Sequence, residues 1–330
     1  MDIAVFSSRE YDESHLQRAL AGGACRPRFV TDALALDTAA LAEGCQAVCI
    51  FVNDRADAQM LEQLSAMGIR LLALRCAGTN HVDLPAARRL GIAVTRAGDY
   101  SPHSVAEHAM LLTLALVRHL PKAMARTQAF NFALDGLVGF DLHGKTIGII
   151  GTGRIGSVFA GILRGFGCQV LGNDICPNAD FEAHGGHSVA LDELQKKSDV
   201  ISLHCALNAQ TRHLVDAGFL SRCKRGVLLV NTSRGMVVDT EAVLSALADG
   251  QLGGFGMDVY EREAGLFFSD HSLDAGKDSV LRELLARPDV IVTGHQGFLT
   301  DQALTQISAS VADSLADFAA GRPFKNAVVD

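Results

Sequence analysis

The sequence predicts an α/β protein of two domains, each a parallel sheet covered by helices on both faces. Three observations predict it. Short apolar runs alternate with amphipathic helical stretches along the chain. The alternation breaks once, near GDYSP (98–102), and resumes after a looser stretch, FNFALDGLVGFDLHG (130–144). Finally, 330 residues are more than one hydrophobic core usually serves.

In chain order, IAVF (3–6), AVCIF (47–51), LLAL (71–74) and IAV (92–94) read as buried parallel strands. Between them ADAQMLEQLSAMG (56–68) reads as an amphipathic helix closed by a glycine. After the break, Pro102 suits the first turn of a long, mostly apolar helix over 103–120, buried between larger units. The second series of strands is TIGII (146–150), QVLGND (169–174), DVISLH (199–204), GVLLVN (226–231), GFGMDV (254–259) and DVIVTG (289–294). The run 301–321 is a final amphipathic helix, stopped by Gly321 and Pro323.

Composition narrows the function. Hydrophobic residues at 48% and charged residues at 20% fit a globular enzyme and exclude a disordered chain. A formal charge of −8 argues against a nucleic-acid groove. The longest apolar runs, such as AMLLTLALV (109–117), are too short to span a bilayer. Eight scattered cysteines, and an N-terminus without a signal-peptide pattern, point to free thiols and a cytoplasmic protein. His184 and His187 lack acidic or cysteine partners at suitable spacing, so no metal is expected.

GIIGTGRIG (148–156) carries the chemistry most openly. It leaves a strand and enters a helix, and Asp174 stands at the end of the next strand, about 20 residues on. Gly151 permits the tight turn, Gly153 lets the backbone approach a pyrophosphate, and Gly156 lets the helix pack on the strand. The helix N-terminus offers N–H groups to phosphate. Asp174 suits ribose hydroxyls and repels a 2′-phosphate, and no basic residue follows in ICPNAD, so NAD is expected over NADP.

Arg234, Glu263 and His295 each follow a strand of the second series, where open α/β sheets place their reacting groups. Reduction of a 2-keto acid needs a guanidinium fork for the carboxylate and a proton donor for the ketone oxygen. Arginine and histidine supply these, and a carboxylate beside the histidine favours its charged form. Taken singly, each of the three residues has an ordinary structural use; their joint placement points to a site. His103 and His108, on the long helix, read as packing or surface groups.

Six motifs then carry a resemblance: RCAGTNHVDL (75–84), YSPHSVAEHAM (100–110), GKTIGIIGTGRIG (144–156), LLVNTSRGMVVDT (228–240), GMDVYERE (256–263) and TGHQGFLT (293–300). Over essentially its whole length the sequence resembles the D-isomer-specific 2-hydroxyacid dehydrogenases, and among them the fermentative enzymes of bacteria that act on D-lactate. The resemblance implies a flavodoxin-like substrate domain from residues 1–99 and 299–330. It implies a Rossmann NAD-binding domain from 100–298, with the active site in the cleft between the two. Arg234 would bind the substrate carboxylate, His295 would donate the proton and Glu263 would keep His295 charged. Ala77 and Gly78 would offer backbone N–H groups to the carboxylate, and Tyr100 and Phe298 would shape the pocket. Arg154, Ile155, Asp174, Cys205, Ala206, Thr211, Thr232, Ser233 and Asp258 match cofactor contacts, with Asp258 near the nicotinamide amide.

The resemblance further implies NAD-dependent interconversion of pyruvate and D-lactate. Alternatives are a bulkier 2-keto acid or an NADH-sensing binding protein of the same fold. The expected partners are a small-molecule substrate and a second copy of the chain, as homodimer or homotetramer. Three positions depart from the pattern: Gly297 replaces alanine, Ala206 replaces proline and Thr79 replaces a larger residue. Beside His295, Gly297 is expected to loosen the substrate side.

Overall fold

The computed structural model describes residues 1–23, 25–98, 100–273 and 278–329. The chain forms two compact units, Met1–Ser101 with Phe298–Asp330, and Pro102–Gly297. Its strands are β1 (Asp2–Val5), β2 (Arg26–Phe29), β3 (Ala47–Ile50), β4 (Leu71–Leu74), β5 (Ala93–Arg96), β6 (Thr146–Ile150), β7 (Gln169–Asn173), β8 (Gly186–Ser188), β9 (Val200–Leu203), β10 (Val227–Asn231), β11 (Leu252–Met257), β12 (Val290–Val292) and β13 (Ala327–Val329).

The first unit holds a sheet in the order β13-β5-β4-β3-β1-β2, parallel except where β13 runs against β5. The order 2-1-3-4-5 is that of flavodoxin-like sheets. Strand alternation divides its core. Ile3, Val5, Ala47, Cys49, Leu71 and Ala73 face Leu16, Leu20, Val311 and Leu315 on one side. Ala4, Val48, Ile50, Leu72 and Leu74 face Met60, Leu61 and Leu64 on the other. Both faces are dry, which is why these strands read as unbroken apolar runs. The final helix, Asp301–Ala319, packs on Glu10–Leu20 and on β4 and β5. β2 and β13 were not legible: RPRF is a half-exposed edge strand with proline and two arginines, and β13 is three residues long.

The second unit is an all-parallel sheet in the order β12-β11-β10-β9-β6-β7-β8. This is the Rossmann order with one strand added beyond β11. The long helix spans Pro102–Val117, not 103–120, and lies across β10, β11 and β12 and against the helix Arg154–Gly165. It stops because His119 takes a left-handed backbone, with φ 49°, and a second helix, Leu120–Gln128, starts with Pro121 in its first turn. Residues 129–145 then form a looped segment without regular structure, tied back to the helix Leu120–Gln128 by Lys122 and Arg126, which donate to carbonyls of Gly136, Ala133 and Asp135. Among the described residues no helix is long and apolar enough to cross a membrane.

Candidate active site

The glycine loop stands at the switch point of the second unit, where β6 pairs with β9 on one side and β7 on the other. Gly151 has φ +96°, and a Cβ there would collide with the backbone of His204 and Cys205 at the end of β9. A Cβ on Gly156 would collide with the Gly151 carbonyl. Gly153 differs: a Cβ there would meet nothing within 4 Å. It is also the N-cap of the helix Arg154–Gly165, and it has no side chain to satisfy the first-turn N–H groups. Two glycines thus close the turn on itself and the third leaves its outer side open, as a cradle for pyrophosphate requires.

The exposed Asp174 accepts the Thr152 N–H at 2.7 Å and the Ile175 N–H at 2.7 Å, which fixes its carboxylate beside the loop. The Thr232 hydroxyl is buried and has no partner among the described residues, as a group waiting for a ligand would be. Thr211 is bonded within its own loop, donating to the Ala206 carbonyl at 2.7 Å and accepting from the Asn208 N–H at 2.8 Å. These residues fit a dinucleotide.

Arg234, Glu263 and His295 follow β10, β11 and β12, which are adjacent and parallel, so their carboxyl ends lie side by side. The fully buried Asn231 builds the turn after β10. Its Oδ1 accepts Ser233 N–H at 3.0 Å and Ser233 Oγ–H at 2.9 Å, while its Nδ2 donates to the Arg234 carbonyl at 3.0 Å. Arg234 Nη1 donates to the Ser233 carbonyl at 2.7 Å. Glu263 Oε2 accepts the Tyr260 N–H at 3.0 Å, and its Oε1 lies 3.1 Å from His295 Nδ1. Against a carboxylate, Nδ1 carries the hydrogen. The Phe268 ring stands 5.5 Å from the imidazole, centroid to centroid.

His295 itself has φ 57°, an uncommon backbone for a residue with a side chain. What holds it there is Asp258, at the end of β11. Its Oδ1 accepts Thr293 Oγ1–H at 2.6 Å and the Gln296 N–H at 2.8 Å, and its Oδ2 accepts the Gly297 N–H at 2.8 Å. His108 Nε2 completes the group, 2.9 Å from Thr293 Oγ1 and 3.2 Å from Asp258 Oδ1. Burial pushes the Asp258 carboxyl up, but hydrogen bonds from His108, Thr293 and Gln296 outweigh it and hold it at about 2. The reading of His108 as a packing or surface group is therefore corrected: it is a buried member of a polar network. The sequence showed only that a histidine on an otherwise apolar helix face needs a partner, not which one. Gly297 is corrected too. A Cβ there would stand 3.0 Å from Asp258 Oδ2 and 3.6 Å from His108 Cδ2, so this glycine faces the network that holds His295.

In the first unit, Arg75 and Asp12 form a buried ion pair at 2.8 Å, and the guanidinium lies 5.2 Å from the Phe51 ring centroid. Phe51 in turn meets Phe298, centroids 5.4 Å apart. Tyr100 is half-buried. The N–H groups of Ala77 and Gly78 make no hydrogen bond among the described residues.

A glycine cradle at a Rossmann switch point, with arginine, glutamate and histidine on three neighbouring strand ends, defines a nicotinamide-dependent dehydrogenase. The sequence model of the D-isomer specific 2-hydroxyacid dehydrogenase NAD-binding domain matches residues 110–297. The D-lactate dehydrogenase of Escherichia coli K12 is 44% identical over 329 residues, all of both chains. A solved structure described as the pyruvate reductase of Chlamydomonas reinhardtii superposes with a TM-score of 0.92 at 42% identity, over 99% of this chain and 98% of that one. Aquifex aeolicus D-lactate dehydrogenase complexed with NAD and lactic acid superposes with a TM-score of 0.88 at 32% identity, over 99% of each chain. The chain belongs to the D-isomer-specific 2-hydroxyacid dehydrogenases and is an NAD-dependent oxidoreductase.

Proposed function

We propose that this chain is a D-lactate dehydrogenase that interconverts pyruvate and D-lactate. The observation that carries the reading is the orientation of His295. Glu263 engages Nδ1, which leaves Nε2 as the ring atom able to give a proton to the substrate's ketone oxygen. Arg234 binds the substrate carboxylate, as its planar fork suits. NADH, when bound, supplies the hydride that C2 receives. Gly151, Gly153, Arg154, Ile155 and Gly156 hold its pyrophosphate and Asp174 its adenosine ribose. Cys205, Ala206, Thr232 and Ser233 line its course along the strand ends. The names of the Escherichia coli and Chlamydomonas relatives support pyruvate.

The test follows NADH oxidation with pyruvate, 2-ketoisocaproate and phenylpyruvate, with the product's configuration determined. The expected result is fastest turnover of pyruvate, to D-lactate. Preference for phenylpyruvate would move the substrate, and tight NADH binding without turnover would overturn the reading.

The working form is a homodimer. In the segment 129–145, Phe130 and Val138 are each 87% exposed, Leu134 77% and Phe132 69%, four large apolar side chains left in water close together in sequence, as at an interface. The long helix is mostly buried within its own unit, so this segment is the better candidate face. Sedimentation of Phe130→Asp/Val138→Asp should give a monomer where the parent gives a dimer.

A further inference from the structure

We infer that His108 is a positioning residue for the proton donor: through Thr293 and Asp258 it fixes the turn Thr293–Gly297 on which His295 rides. The inference rests on the reading of His295 as that donor.

The hydrogen-bond bookkeeping leaves little freedom. The Thr293 hydroxyl has one hydrogen and gives it to Asp258 Oδ1, at 2.6 Å. Its oxygen, 2.9 Å from His108 Nε2, is therefore an acceptor there, and Nε2 carries the hydrogen. The same N–H points to Asp258 Oδ1 at 3.2 Å. Both side chains are buried, His108 9% exposed and Asp258 3%, so neither finds water if the other leaves. Asp258 then spends its carboxylate on the turn, one oxygen on Thr293 and Gln296 and the other on Gly297. Thr293 is tied a second time, through its N–H to the Met257 carbonyl at 2.9 Å. The pinned residues flank His295 on both sides.

His295 needs that pinning. Its φ of 57° is a conformation that persists only where the surroundings over-determine it. From that backbone its ring reaches Glu263 at 3.1 Å. Without the His108 N–H, Thr293 and Asp258 keep a buried acceptor unsatisfied and the turn loses its anchor to the long helix. The ring then drifts from its bond to Glu263. The glycine cradle, on the loop after β6, does not depend on His108. The loss should therefore appear in turnover more than in NADH binding.

The experiment compares His108→Leu, which removes the N–H, with His108→Gln, whose amide carries an N–H to nearly the same point. Thr293→Val and His295→Ala are made alongside, and kcat, KM for pyruvate and NADH affinity are measured on the full chain. His108→Leu and Thr293→Val should each lower kcat about tenfold, with KM for pyruvate within about twofold, and His108→Gln should recover most of the loss. Equal losses of kcat in His108→Leu and His108→Gln would reduce His108 to packing and overturn the inference. So would unchanged kcat in His108→Leu or, where that variant fails to fold, in Thr293→Val. Turnover that survives His295→Ala would instead mark failure of the donor assignment; its loss there with normal kcat in Thr293→Val rejects the positioning role alone.

Discussion

Two histidine–carboxylate pairs lie in the same unit at almost the same distance, His295 with Glu263 at 3.1 Å and His108 with Asp258 at 3.2 Å. They differ in what surrounds them. Glu263 is 22% exposed, and its bond to His295 leaves the other ring nitrogen of that histidine open. Asp258 is 3% exposed and fully engaged by a hydroxyl and two backbone N–H groups, with His108 against the same hydroxyl. A saturated pair holds a shape, whereas a pair with an open nitrogen exchanges a proton. The largest effect should therefore follow from breaking the open pair at its acid: His295→Ala should lower kcat by about a thousandfold while NADH affinity, followed by fluorescence titration, stays near the parent value.

The next effect comes from the other half of the open pair. Glu263→Gln keeps a hydrogen-bond acceptor for Nδ1 but removes the charge. Turnover with pyruvate should fall about tenfold, with NADH affinity near the parent value. Unchanged turnover would mean that Glu263 only orients the ring and that its charge is not needed.

A third histidine sharpens the contrast because it has no carboxylate. His204, at the end of β9, donates to or accepts from Ser202 Oγ at 2.9 Å and packs on Phe159, centroids 5.2 Å apart. Burial pushes its imidazole down to about 3. The unfolded chain takes up that proton near pH 6.5 and the folded chain does not, so stability is full above about pH 6.5 and falls as the pH drops toward 3. His204→Leu should flatten this fall, read as the urea midpoint at pH 7.5 and pH 5. Asp258 has the opposite chemistry and a lower window. Its depressed carboxyl stabilises fully above about pH 4, and that contribution fades toward pH 2.

What was legible in the sequence follows from range. The glycine loop was readable because the turn, the close approach and the helix start lie within nine residues, and each demands a particular residue type. Arg234, Glu263 and His295 were readable as candidates because strands β10, β11 and β12 announce themselves and parallel sheets put chemistry at their ends. The network that holds His295 was not, since His108 and Thr293 are 185 residues apart and only the packing of the long helix across β12 brings them together. The strand RPRF was missed for a related reason: it is an edge, half in water, and has no apolar run to display.

Gly297 tests how far a local reading reaches, and carries the smallest expected effect. By sequence it neighbours His295, and removing a methyl there suggests a roomier pocket and larger keto acids. The geometry points the missing methyl elsewhere, 3.0 Å from Asp258 Oδ2 and 3.6 Å from His108 Cδ2. A methyl at that distance asks the carboxylate to shift by a few tenths of an ångström, against the Gly297 N–H bond of 2.8 Å on the same oxygen. Gly297→Ala should thus change kcat by a few-fold at most, as small displacements of a reacting group do. It should also leave the ratio of kcat/KM for phenylpyruvate over pyruvate within about twofold, well below the discrimination one methylene gives when it lines a pocket. A ratio that falls tenfold with kcat on pyruvate unchanged would put the methyl in the pocket after all. The backbone of Gly297 would then serve substrate choice instead of the saturated pair.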